Sequence, residues 1–218
     1  MAQQKVTIDR DRSALLLVDI QPDFMPGGAL AVAEGDRIVA PVRTLMESGR
    51  FRHFAATQDW HPPGHISFAS SHTGRKPFDA IELYGHAQTL WPDHCLQGTQ
   101  GANLHFGLPW EKVSVIVRKG MDPDTDSYSG FRNNVNPAGE RPSTGLAGYL
   151  RDRGIDTVFC CGLARDFCVK CTAEDAAEAG FTTYFIWDLT RPVDPGSDSR
   201  VHEELERRCV TIVESASL

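Results

Sequence analysis

Residues 14–20, Ala-Leu-Leu-Leu-Val-Asp-Ile, are apolar at consecutive rather than alternate positions, broken only by an acid near the end. A strand with one wet face alternates, so an unbroken run demands cover on both faces, as inner strands of a parallel sheet have. Five further segments fit that frame: 52–57, 113–117, 156–161, 182–187 and 209–213. Helical patterns lie between them. Ile38, Val39, Val42, Leu45 and Met46 form a stripe over 35–48 that Gly49 closes. Ser143 or Thr144 caps a helix through Leu150, and others span about 166–179 and 197–208. The implied fold class is α/β: a mostly parallel, six-stranded, doubly wound sheet with helices on both faces, in a single domain over residues 1–218. Two stretches resist assignment, 61–109 and 121–142. A loop as long as the first is either functional or conceals structure.

The formal net charge of -7 and the lack of a Lys/Arg cluster argue against nucleic acid as a partner. No apolar run reaches membrane-spanning length, so no membrane partner is expected. The opening residues, Met-Ala-Gln-Gln-Lys-Val, have no apolar core of a secretory signal, which points to a cytoplasmic protein. Six cysteines could pair, yet Cys160 and Cys161 are adjacent within one strand, and Cys95 and Cys209 have no evident mate. Reduced thiols are expected.

In doubly wound sheets ligands sit beyond the carboxyl ends of the strands. Asp19, Asp59, Lys119, the Gly162–Cys168 turn and Asp188 all fall at such ends. The run from Val158 breaks at Gly162 and regains order near Asp166, which puts Cys168 in the first turn of a helix. Free N–H groups and the helix dipole there favour a thiolate. Asp19 can take the thiol proton while Lys119 holds both anions, although each alone reads equally as a capping acid or a solvated lysine. The turn Gly162-Leu-Ala164 offers N–H groups to an oxyanion. Asp59-Trp-His-Pro-Pro-Gly-His65, with His94 and Cys95 further on, has plausible spacing for a divalent metal; the alternative is surface-loop histidines. Phe24, Trp60, Phe68, Trp91, Tyr128 and Phe131 either cover the core or form a slot for a flat ring.

Six segments then carry a resemblance. They are Leu17-Val-Asp-Ile-Gln-Pro-Asp-Phe24, Thr57-Gln-Asp-Trp-His-Pro-Pro-Gly-His65-Ile-Ser-Phe68, Trp91-Pro-Asp-His-Cys95, Lys119-Gly120, Tyr128-Ser-Gly-Phe131 and Gly162-Leu-Ala-Arg-Asp-Phe-Cys-Val169. In that order, and over nearly the whole chain, the sequence resembles the nicotinamidase branch of the isochorismatase-like cysteine hydrolases. The resemblance implies an Asp19–Lys119–Cys168 triad and one divalent metal on Asp59, His61 and His94, with His65 approaching it in some relatives. Zinc is foremost, with iron and manganese also suited to an O/N/N ligand set. It further implies a cis peptide before Ala164, an oxyanion hole from the N–H groups of Ala164 and Cys168, and Phe24, Trp91, Tyr128 and Leu163 around a pyridine ring. The activity implied is hydrolysis of nicotinamide to nicotinate and ammonia through a thioester, within NAD salvage, with pyrazinamide also accepted. A homo-oligomer is a possible assembly.

Two departures are Pro192, where a small residue is more usual, and Cys171, which creates a Cys-x-x-Cys with Cys168. That motif supports a rival reading as a dithiol oxidoreductase, but leaves Asp19, Lys119 and the Asp/His cluster without a role. The two readings part on Cys171→Ser. The hydrolase keeps wild-type ammonia release, whereas a dithiol enzyme loses its turnover in a disulfide-reduction assay.

Overall fold

Ser13–Val18 (β1) is buried at every position, and its side chains divide by parity. Leu15 and Leu17 enter one core cluster, while Ala14, Leu16 and Val18 enter another on the opposite face. The computed structural model describes residues 5–218; the first four, part of the segment read above for a signal, lie outside the described residues. Helix α1 (Val39–Glu47) follows a short 3-10 turn over Gly35–Ile38, then β2 (His53–Asp59) returns beside β1. Next come a small antiparallel hairpin, β3 (Ala80–Leu83) and β4 (His86–Thr89), and β5 (Val115–Lys119). Helix α2 (Leu146–Arg151), β6 (Thr157–Leu163), α3 (Lys170–Glu178), β7 (Thr182–Arg191), α4 (Asp198–Arg207) and β8 (Thr211–Val213) complete the order.

The main sheet runs β5-β2-β1-β6-β7-β8, and every pair in it is parallel. Helix α1 supplies Val42, Leu45 and Met46 to one core cluster. Helices α2, α3 and α4 supply Leu146, Ala173 and Val201 to the other. The expected doubly wound α/β sheet is therefore present. Successive strands build outward from β1 on one side and from β6 on the other, so the switch point lies between β1 and β6.

Three local expectations need correction. The stretch 61–109 conceals the β3–β4 hairpin, whose Tyr84-Gly85 turn has positive φ at both residues; its sequence lacks the Asn-Gly or Asp-Gly signal of such turns. Strand β7 continues to Arg191, so Asp188 lies inside it, accepting hydrogen bonds from the Ser215 N–H and hydroxyl rather than facing a site. Cys168 is not in the first turn of an α-helix. Arg165–Val169 forms a π-helical turn, with the Val169 N–H donating to the Ala164 carbonyl at 3.1 Å.

Gly162 of β6 pairs with Val18 of β1 at φ +123°. A Cβ there would lie 2.0 Å from the Val18 carbonyl oxygen, a backbone atom that cannot swing away. Gly162→Ala should cost about 2–4 kcal/mol, combining left-handed strain with overpacking. Chemical denaturation measures it as a lower midpoint.

Candidate active site

Lys119 ends β5 with its ammonium fully buried, at 1% exposure for the residue. A buried cation must be paired and hydrogen-bonded. Its Nζ is 2.8 Å from Asp19 Oδ2, pairs with Asp59 Oδ1, donates to the Ser127 carbonyl at 3.0 Å, and lies 3.5 Å from Cys168 Sγ. Asp19 leaves β1 at φ +47°, a left-handed conformation that Asp tolerates. Asp59 ends β2 beside Lys119 in register. Carboxylate oxygens of Asp19 and Asp59 and the Cys168 sulfur all lie within 4.8 Å of one another. Asp19, Lys119 and Cys168, far apart in sequence, are thus brought together at the switch point.

The electrostatics differ from the sequence expectation. Burial pushes the Cys168 thiol well above its ordinary value; Lys119 opposes this, and the two carboxylates add to it. Burial likewise raises Asp19, against Lys119. Asp59 goes the other way: burial opposes its charge, but Lys119, foremost among the groups that oppose burial, holds it well below the carboxylate range. Burial also works against the Lys119 ammonium, and Asp19 and Asp59 overcome it. The resting sulfur therefore keeps its proton, and a raised Asp19 beside it is matched to receive that proton on demand.

Asp59, His61 and His94 converge next to this cluster, with ligand atoms within 4.8 Å of one another. His61 Nδ1 faces the Gly120 carbonyl at 3.0 Å and His94 Nδ1 faces the Pro92 carbonyl at 2.8 Å. Each imidazole thus donates its proton away from the site and turns Nε2 toward Asp59 Oδ2, at 3.5 and 3.6 Å. Backbone carbonyls that fix the tautomer of a ligating His are the usual outer support of a metal centre. Gly120 is required there, because a Cβ would meet the His61 ring at 2.3 Å. Buried Asp126 also faces the site, so three carboxylates confront one ammonium, a formal surplus of two negative charges. The donor set and that surplus both fit a divalent metal ion.

His65 adjoins His61, with ring centroids 4.3 Å apart, but falls in a different ligand grouping from Asp59 and His94. Its Nδ1 is 2.8 Å from the Ser67 hydroxyl and its Nε2 3.3 Å from the Thr125 carbonyl, and it groups with His61 and Asp126 instead.

A narrow cavity opens between the thiol and the metal-ligand cluster. Phe24, Trp91 and Tyr128 line it, together with Phe167, Val193 and Ala164. Trp91 and Phe167 meet edge to face at 4.7 Å, and the Trp91 Nε1–H donates to the Tyr128 hydroxyl at 3.1 Å. Leu163 is not on that wall; it is wholly buried and packs toward Gly35. Of the other aromatics considered, Phe131 is in the core, Trp60 lies under the Arg118 guanidinium and Phe68 abuts the imidazoles of His61 and His94. The Leu163–Ala164 peptide is cis, as the resemblance implies.

Several supporting residues escape sequence reading. Gln21 grips the Asp59 backbone, accepting from its N–H at 2.7 Å and donating to its carbonyl at 2.9 Å. Asp166 accepts from the Val193 and Asp194 N–H groups, both at 2.9 Å, and so holds Val193 against the cavity. Asp126 is hidden in sequence among Asp122 and Asp124. Only the first had a local signal, a polar residue directly after a buried strand end.

Removing one imidazole tests the metal centre. His94→Ala should lower metal affinity by at least about 10- to 100-fold, the loss typical of disturbing even an outer ligand partner. Metal per chain after dialysis, read by inductively coupled plasma mass spectrometry, measures it.

An isochorismatase domain model matches residues 13–217. A nicotinamidase of Acinetobacter baylyi is 50% identical over 181 residues, spanning 83% of this chain and 82% of that one. Among solved structures, the Acinetobacter baumanii nicotinamidase/pyrazinamidase aligns with a TM-score of 0.89 at 42% identity, covering 95% of this chain and 98% of that chain. PnC1 from L. infantum, solved in complex with nicotinate, aligns at 0.85 and 38%, covering 98% of each. The Pyrococcus horikoshii pyrazinamidase, solved in complex with zinc, aligns at 0.73 and 38%, covering 93% and 99%. From strand order to cavity wall, the chain belongs to the isochorismatase family, on the branch that holds the nicotinamidases.

Proposed function

We propose that this chain is a nicotinamidase: it hydrolyses nicotinamide to nicotinate and ammonia through a thioester on Cys168, as a step of NAD salvage. The observation that carries the reading is a buried thiol 3.5 Å from Lys119, facing an aromatic-lined cavity beside a metal-ligand cluster. Asp19 takes the Cys168 proton, and Lys119 holds the resulting charges in a site that excludes water. The thiolate attacks the carboxamide carbon, and the Ala164 and Cys168 N–H groups receive the oxyanion. Asp19 returns the proton to the departing ammonia, then draws one from the water that cleaves the thioester. Phe24, Trp91 and Tyr128 flank the pyridine ring. Burial, reinforced by Asp126, holds the Tyr128 phenol well above its ordinary value, so it stays a neutral hydrogen-bonding group.

Asp59, His61 and His94 would hold a divalent metal, which would supply Lewis acidity for orienting the substrate ring. Zinc suits this oxygen-and-imidazole set best, ahead of iron and manganese. Pyrazinamide, flat and similarly sized, enters the same slot. The whole chain acts as one hydrolase domain. Six free cysteines suit the reducing cytoplasm. Phe106, 91% exposed, suits a contact between copies in a homo-oligomer. Cys171 stands outside the chemistry, its thiol pushed up to about 12 by burial.

The test is ammonia release from nicotinamide by wild type and Cys168→Ala. Wild type should turn over, and the variant should lose at least about 10³-fold, as loss of a covalent nucleophile does. Release that survives the substitution excludes the thioester.

A further inference from the structure

The Asp19 carboxylate has two oxygens, and only one is free to serve Cys168. Thr57, buried in β2 two residues before Asp59, takes the other: its hydroxyl donates to Asp19 Oδ1 at 2.6 Å. The same hydroxyl oxygen accepts the Asp19 backbone N–H at 3.2 Å. A hydroxyl has one proton to give, so with its oxygen engaged by that N–H its proton is committed to the carboxylate. The pair closes a ring around Asp19 that fixes both its left-handed backbone and its side-chain rotation. Oδ2 is thereby left to Lys119, 2.8 Å away, whose ammonium also reaches Cys168 Sγ at 3.5 Å; one oxygen of the Asp19 carboxylate lies within 4.8 Å of that sulfur. The Thr57 methyl does separate work, packing on Gly130, where a Cβ would stand 2.7 Å from Cγ2.

We infer that Thr57 is a positioning residue, which orients Asp19 for proton exchange with Cys168 through its hydroxyl and not through its methyl. The inference rests on the amidase reading for the identity of the reaction, and on geometry alone for the orientation. Two substitutions separate the halves of the side chain: Thr57→Val keeps the methyl shape and removes the hydroxyl, whereas Thr57→Ser does the reverse.

Steady-state nicotinamide hydrolysis and the rate of Cys168 alkylation by iodoacetamide, site-resolved by peptide mass spectrometry, are measured on all three proteins. Thr57→Val should lose about 10- to 100-fold in kcat with KM little changed, the scale of misplacing a reacting group by an ångström. Its Cys168 should alkylate correspondingly more slowly. Thr57→Ser should stay near wild type in both assays. A Ser variant as impaired as Val overturns the inference, even if Val proves unstable; so does a Val variant at wild-type rates, or a loss confined to KM. Wild type that alkylates at Cys168 but releases no ammonia counts against the amidase reading alone, and the alkylation rates still decide the role of Thr57.

Discussion

A single ammonium, that of Lys119, is the constraint on which the rest of the site depends. It has no access to water and is surrounded by Asp19, Asp59, the Ser127 carbonyl and the Cys168 sulfur. Removing the charge would leave two buried carboxylates facing each other without compensation, a situation worth several kcal/mol. The lysine therefore ties the ends of three strands and the turn after β6 to one point. It also joins two kinds of chemistry, because one of its carboxylates faces the thiol and the other faces two imidazoles.

Around that shared cation, two carboxylates of similar burial behave differently. Asp59 gains chiefly from Lys119, and stays ionised as a metal ligand must. Asp19 is raised by burial and by the charge of Asp59, so it can exchange a proton with a thiol that burial also raises. Pushing the titration of like groups apart through their surroundings is how one cavity can hold a ligand and a base at once. Desolvation is the leading influence on the Cys168 thiol, and it favours the protonated form.

Precision in this arrangement comes from groups that touch no substrate. Gln21 holds the Asp59 backbone from both sides, Gly120 leaves room for the His61 ring and accepts its proton, and Gly162 lets β6 approach β1 at the switch point. Asp166 and the buried Arg165, the latter bound to Asp198, anchor the π-helical turn that presents Cys168. Each acts on backbone or ring orientation, so the reacting atoms are set by rigid elements rather than by loops alone.

The sequence by itself determined the sheet. Continuous apolar runs specify strands covered on both faces, and their alternation with helical stripes specifies parallel winding, because periodicity and burial are written locally. It also placed Asp19, Asp59 and Lys119 at strand ends and Cys168 beyond the turn that follows another, and the order of the motifs identified the family. Tertiary structure alone decided the rest. The β3–β4 hairpin lacks a turn signal, and Asp188 looks like a strand-end acid until β7 is seen to run past it. Which side chains wall the cavity depends on which loops meet: Phe167 and Val193 do, Leu163 does not. The protonation of Cys168 and Asp19 follows from desolvation, which no local pattern encodes. It arises only when segments a hundred residues apart exclude water from the same few cubic ångströms.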